Sequence, residues 1–211
     1  MDNKARDFRL YRKQQMMALT ILITGGIGSG KSVVSGILRV LGIPVYDTDS
    51  RTKALYEGEL GMRLEEDLGQ KLHTADGHFD RKALAALIFS DRQVLDKVEE
   101  IVHPAVLRDF EDWKEKQESQ IVCMESAIAL EKPLFNGSYD FVVIVNAPED
   151  LRIRRACNRD GSDEISVRKR IQNQKIDLQK ANFIIENDDG LDKLEAQTKL
   201  MLEAAANRIL K

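Results

Sequence analysis

Gly25-Gly26-Ile27-Gly28-Ser29-Gly30-Lys31-Ser32 sets a glycine, four variable positions and then Gly-Lys-Ser in line, the spacing of a phosphate-binding loop. Glycines let the backbone turn left-handed, so the N–H groups of Gly26, Gly28, Ser29, Gly30, Lys31, Ser32 and Val33 can converge on one anion. A helix starting at Lys31 would aim the positive end of its dipole at the same point. The Lys31 ammonium is expected to reach the β and γ phosphates, and the Ser32 hydroxyl to ligate Mg²⁺. A glycine-rich turn that happens to precede a helix accounts for the glycines but not for Lys31-Ser32 after them. The pattern points to a nucleoside triphosphate and leaves the phosphate acceptor open.

Three other groups have types and spacing suited to the same chemistry. Asp47-Thr48-Asp49 closes a short apolar run, and carboxyl ends of parallel strands are where ligands bind in open α/β sheets. Either acid could equally cap a helix beginning near Ser50. Glu125 ends the run Gln120-Ile121-Val122-Cys123-Met124, the position of the carboxylate that holds Mg²⁺, often through water, in phosphate-loop enzymes. Arg155 and Arg159 stand four apart in the most basic stretch, so they share a helix face and could clamp a polyphosphate; an exposed, charge-rich helical hairpin fits the same spacing.

Elements that would position these groups follow from periodicity. Leu19–Thr24 is a short apolar run suited to a buried strand, and Val33, Val34, Ile37, Leu38 and Leu41 recur at helical spacing, ended by Gly42. Ile43–Tyr46, Gln120–Glu125, Phe141–Val145 and Phe183–Ile185 supply four more strands. Five strands separated by helices or larger insertions predict an α/β fold: a parallel sheet covered on both faces. From Arg51 to Val102, helical segments broken by Gly58, Gly61, Gly69 and Asp76-Gly77 read as a helical insertion. Asp80 and Asp91 are suited to cap helices there, and Pro104 after His103 predicts the first position of another. His73 and His78 read as solvated, His103 as a structural hydrogen-bonding residue, and Trp113 as packing. Leu191–Leu210 reads as an amphipathic closing helix with Leu194, Thr198, Met201, Leu202 and Ala205 inward.

The 211 residues suffice for one sizeable core. With 43% hydrophobic and 32% charged residues and a net charge of −3, the chain is not a polycationic nucleic-acid binder. No partner in nucleic acid or membrane is expected. Cys123 and Cys157 form neither a zinc pattern nor a disulfide framework and read as free thiols in a reducing cytoplasm. Residues 1–16 carry five basic against two acidic residues, a charge of +3, without the apolar centre of a secretion signal, and are expected to be a disordered extension. The run Met16–Ile23 is too short to span a bilayer. There is no Asn-Lys-x-Asp guanine-reading motif, which disfavours a switch GTPase.

Taken in order, the pieces resemble the dephospho-coenzyme A kinases from about Met17 onward. The residues that carry the likeness are the loop Thr24–Ser32, Gly42-Ile43-Pro44 with Asp47-Thr48-Asp49, Asp76-Gly77, Asp80-Arg81 and His103-Pro104. Beyond them come Arg155, Arg159-Asp160, Arg170 with Gln174, and Ala181–Ile185 closing at Asn187. The chain departs from the family at Val33, where threonine is usual, and at Ser126–Glu131, which replaces a Pro-Leu-Leu-x-Glu pattern. The resemblance implies a phosphate-loop NTPase fold in three α/β/α layers, with a core of residues 17–48, 104–150 and 176–211. It further implies a CoA-binding helical insertion at 49–103 and a lid at 151–175. The implied reaction moves the γ-phosphoryl group of ATP, with Mg²⁺, to the 3′-hydroxyl of dephospho-CoA. Asp49 would orient or deprotonate that hydroxyl, with Lys31 and Arg155 acting on the transferring phosphate and Arg159 on ATP. The protein is expected to act as a monomer.

Overall fold

The computed structural model describes residues 18–174 and 176–209, so the extension expected at 1–16 lies outside the described residues. The described residues divide into two compact units, one formed by those from 18 to 45 and from 117 onward, the other by residues 46–116.

The first unit is built on strands β1 (Leu19–Gly25), β3 (Ile121–Glu125), β4 (Phe141–Asn146) and β5 (Phe183–Glu186), with β2 (Val45–Asp47) where the chain leaves it. The sheet order is β2-β3-β1-β4-β5. β1 runs parallel to β3, with Ile23 beside Glu125, and parallel to β4, with Gly25 beside Val145; β4 pairs in parallel with β5. Ile21, Ile23, Cys123, Val143, Val145 and Ile185 form one core with Val34 and Leu38 of α1 (Lys31–Val40) and Leu194, Met201 and Ala205 of α8 (Leu191–Ile209). The intervening Leu22, Val122, Met124 and Ile144 are buried as well, so both sheet faces are covered. This explains why the strands read as continuous apolar runs instead of alternating ones. Burial also pushes the Cys123 thiol up to about 12.

Between β4 and β5 lies a hairpin of α6 (Glu149–Asp160) and α7 (Glu164–Gln172), turned at Gly161 with φ 62°. It has its own small core of Ile153, Ala156, Val167 and Ile171, against which Cys157 and Ile27 pack.

The second unit holds α2 (Thr48–Tyr56), α3 (Glu59–Leu68), α4 (Arg81–Ser90) and α5 (Arg92–Lys114). Asp80 and Asp91 cap α4 and α5 through their side chains, as the sequence predicts. Pro104 does not open a helix: it lies inside α5, a helix of 23 residues that runs on past it to Lys114. Proline removes one N–H donor and disturbs the turn before it, but Val98, Ile101, Val102, Val106 and Phe110 keep one buried stripe on both sides of it. His73 also differs from expectation. Its Nδ1 lies 2.5 Å from Glu65 Oε2, and its ring stands edge-on to Phe79, so it is a half-buried tie and not a solvated side chain. Tyr46 donates to Asp109 at 2.7 Å, and Arg51 grips the same carboxylate through Nε and Nη2. Arg51 holds the Asp109 carboxyl below its ordinary value.

Candidate active site

The loop joining β1 to α1 follows from its glycines. Gly28 has φ 73° and Gly30 φ 101°, conformations that residues with a Cβ rarely adopt. Space forbids a side chain too: a Cβ on Gly28 would stand 2.1 Å from the Arg152 carbonyl oxygen, and one on Gly30 2.1 Å from Asn187 Nδ2. Ser29 N–H closes a turn onto Gly26 O at 3.1 Å, and Val33 N–H bonds Gly30 O at 3.0 Å. Both amides thus donate within the loop and help to hold its shape. Among the described residues, the N–H groups of Gly28, Gly30, Lys31 and Ser32 meet no protein acceptor. The Ser29 hydroxyl is buried with no hydrogen-bond partner. Orphaned donors at the start of a helix make an anion site.

Lys31 folds back over this loop, donating to Gly25 O at 2.9 Å and Gly26 O at 3.1 Å. Burial lowers its pKa from 10.5 to about 8, opposed by the Glu125 carboxylate and assisted by Arg152 and Arg159. Glu125 thus acts on the loop from the end of β3, where it sits in register with Ile23. Ser32 is exposed at the first turn of α1. Ser32 and Glu125 supply a hydroxyl and a carboxylate, oxygen donors of the kind that Mg²⁺ takes, and among the described residues there is no group of three or more His, Cys, Asp or Glu that could hold a metal ion.

The arginines of α6 divide their work. Arg155 donates to Asn187 O at 3.1 Å and Asn187 Oδ1 at 3.2 Å, while Asn187 Nδ2 donates to Ser29 O at 2.8 Å. Arg155 therefore braces the loop after β5, which in turn braces the phosphate loop. Arg159 grips Asp160 through two nitrogens at 2.7 and 3.0 Å, and with Arg170 it holds that carboxyl at about 2. The guanidinium over the loop belongs to Arg152, whose Nε donates to Ile27 O at 3.0 Å. Sequence reasoning passed over it, although 152, 155 and 159 fall on one helical stripe, and extending the pair back one turn finds it. Gln174 and Asn187 entered only as marks of a resemblance; here both bond the loop. A cleft of about 270 Å³ opens beside it, lined by Gly26, Ser29, Asn146, Arg152, Ile171 and Gln174 among others.

In the second unit the two acids separate. Asp47 caps α2, accepting from the N–H groups of Asp49 and Ser50 at 3.1 and 3.2 Å. Asp49 has no capping duty; its side chain is 78% exposed and pairs with Lys53.

The dephospho-CoA kinase family model matches residues 19–193. A dephospho-CoA kinase of Porphyromonas gingivalis is 47% identical over 158 residues, covering 74% of this chain and 77% of its own. One from Thermus thermophilus is 35% identical, covering 87% and 90%. Among solved structures, TT1252 from Thermus thermophilus has a TM-score of 0.76 at 33% identity, covering 88% of this chain and 97% of that one. Dephospho-CoA kinase from Campylobacter jejuni shares the fold, with a TM-score of 0.66 at 21% identity over 90% and 98%. The matched region begins at the first residue of β1 and takes in the phosphate loop, the residues 46–116 and the arginine hairpin. The chain belongs to the dephospho-CoA kinase family.

Proposed function

We infer that the chain transfers the γ-phosphoryl group of ATP to the 3′-hydroxyl of the ribose in dephospho-CoA, giving coenzyme A and ADP. The observation that carries the ATP half of this reading is the phosphate loop, where among the described residues the amides of Gly28, Gly30, Lys31 and Ser32 have no protein acceptor and lie close to the half-buried Lys31 ammonium, while the family match supports the acceptor. Phosphoryl transfer asks chiefly for alignment and neutralised charge. Lys31 would leave the Gly25 and Gly26 carbonyls for the β and γ phosphates, exchanging dipoles for full charges. Mg²⁺ would be held by the Ser32 hydroxyl and, through water, by Glu125, and would offset charge on the same phosphates. Arg152, Arg155 and Arg159 form a cationic stripe along α6, with Arg155 proposed to act on the transferring phosphate and Arg159 on ATP. Asp49, relieved of capping by Asp47, is proposed to orient or deprotonate the acceptor hydroxyl. The insertion at 49–103, inside the unit of residues 46–116, is proposed to bind dephospho-CoA, and the stretch 151–175, which takes in most of the hairpin of α6 and α7, to serve as the lid that excludes water. We place the reaction in the cytoplasm, in a monomer acting on small molecules. Among the described residues no helix is long and apolar enough to cross a membrane.

An acceptor screen with ATP tests the reading. Dephospho-CoA should be phosphorylated, with ADP released in equal amount. Turnover with a nucleoside monophosphate and none with dephospho-CoA would reject it, as would ATP hydrolysis that no small acceptor alters.

A further inference from the structure

Ile27, the residue between the loop's glycines, is held through its N–H, its carbonyl and its side chain by the α6–α7 hairpin and the residue just after it. Its N–H donates to Gln174 Oε1 at 2.7 Å, just beyond α7. Its carbonyl accepts from Arg152 Nε at 3.0 Å. Its side chain packs against the hairpin's core of Ile153, Ala156, Val167 and Ile171. The glycines on either side admit that approach, since a Cβ on Gly26 would meet the Arg152 guanidinium at 2.0 Å and one on Gly28 the Arg152 carbonyl at 2.1 Å.

In a trans peptide the C=O and the following N–H point in opposite directions. Fixing Ile27 O toward Arg152 therefore turns the Gly28 N–H away from the hairpin, and that amide is one of those without a protein acceptor. Fixing Ile27 N–H toward Gln174 likewise turns Gly26 O the other way, where it accepts from Ser29 N–H and Lys31 Nζ, each at 3.1 Å. We propose that Gln174 and Arg152 are positioning residues, which clamp the Ile27 peptide units so that the loop is preset for polyphosphate and its shape is tied to the hairpin. This deepens the reading of the loop as an ATP site and depends on polyphosphate binding there. A hairpin displaced from Ile27 would release both peptides at once, so phosphate affinity and hairpin position must be coupled in both directions.

Gln174→Met is the decisive variant, because it removes the acceptor at nearly constant volume and no change of charge. Binding of ADP and of tripolyphosphate, which has no base, is measured together with amide hydrogen exchange by NMR and with thermal unfolding. The expected result is a melting temperature lowered by no more than about 2–4 °C, faster exchange at Ile27, and affinities for ADP and tripolyphosphate that fall together, by roughly threefold to tenfold for one lost hydrogen bond. A loss confined to ADP overturns the proposal by making Gln174 a base contact. A loss for both ligands with Ile27 still protected overturns it by making Gln174 a direct phosphate contact, and unchanged affinities overturn it outright. Should the variant not fold, exchange on the unaltered protein decides: Ile27 must be protected without nucleotide and Gly28 only with it, and an unprotected Ile27 refutes the clamp. Unaltered protein that binds tripolyphosphate yet fails to phosphorylate dephospho-CoA would defeat the proposed function and leave the clamp standing.

Discussion

Nucleotide binding should draw a proton onto Lys31. Burial holds this ammonium at about 8 against an ordinary 10.5, with Glu125 opposing and Arg152 and Arg159 adding to the drop. The displacement sets about 3 kcal/mol against the charged form in the nucleotide-free protein. Between the folded and ordinary values the unfolded chain holds more protons, so stability rises with pH across that window by up to about 3 kcal/mol, and the full penalty is present below it. Polyphosphate oxygens beside the ammonium should lift its pKa again. Binding of ADP should then take up about half a proton at pH 8, nearly one at pH 9 and about a tenth at pH 7. Affinity should weaken toward tenfold per pH unit above 8. Calorimetry in buffers of different ionisation enthalpy, kept above pH 7.5 so that the phosphate's own ionisation stays out, measures the uptake directly. Lys31→Met is the control: it should bind ADP poorly, show no uptake and be no less stable than the unaltered protein at pH 7. Binding at pH 8 without proton uptake, or the same uptake in Lys31→Met, would refute the reasoning.

Gly28→Ala should abolish measurable ADP binding in a protein that still folds, since a Cβ there would meet the Arg152 carbonyl at 2.1 Å in a left-handed conformation; calorimetry showing normal affinity would contradict the loop geometry. Asp47→Ala should cost about 1 kcal/mol of stability by uncapping α2, whereas Asp49→Asn should leave melting unchanged and lower turnover by roughly a hundredfold to ten-thousandfold if it handles the acceptor proton. Asp109→Asn should destabilise the protein by about 1–3 kcal/mol at pH 7. Because Arg51 depresses the Asp109 carboxyl below 3.8, the stability it adds is present above that value and is lost as pH falls through the depressed one. The variant should therefore show a flatter acid limb in chemical denaturation.

What local sequence could reveal depended on whether the deciding partner was near. The five strands were legible because both sheet faces bury apolar side chains, and the loop because its function fixes residue types at fixed spacing. Pro104 misled because proline favours a helix start, a local preference that the continuous stripe from Val98 to Phe110 overrides. Glu65 was not read as the partner of His73 because no pattern of spacing links a helix to the turn after it. Spacing put Arg155 and Arg159 on one face but could not say that Asn187 waits for the first and Asp160 for the second. Gln174 and Asn187 lie 147 and 158 residues from the loop atoms they bond, a distance only the folded sheet closes.

The small core of the hairpin carries a built-in chemical reporter. Cys157 packs half-buried against Ile153, Ala156, Val167 and Ile171, while Cys123 is sealed in the main core with its thiol pushed up to about 12. Thiolate is the reactive form, so an alkylating reagent offered to the native protein should find Cys157 and pass over Cys123. Its rate of labelling then serves as a clock of how exposed the hairpin leaves this thiol, with no engineered label. Because Ile27 is seated on that same core, a ligand that steadies the phosphate loop should slow the clock from the far side of the contact.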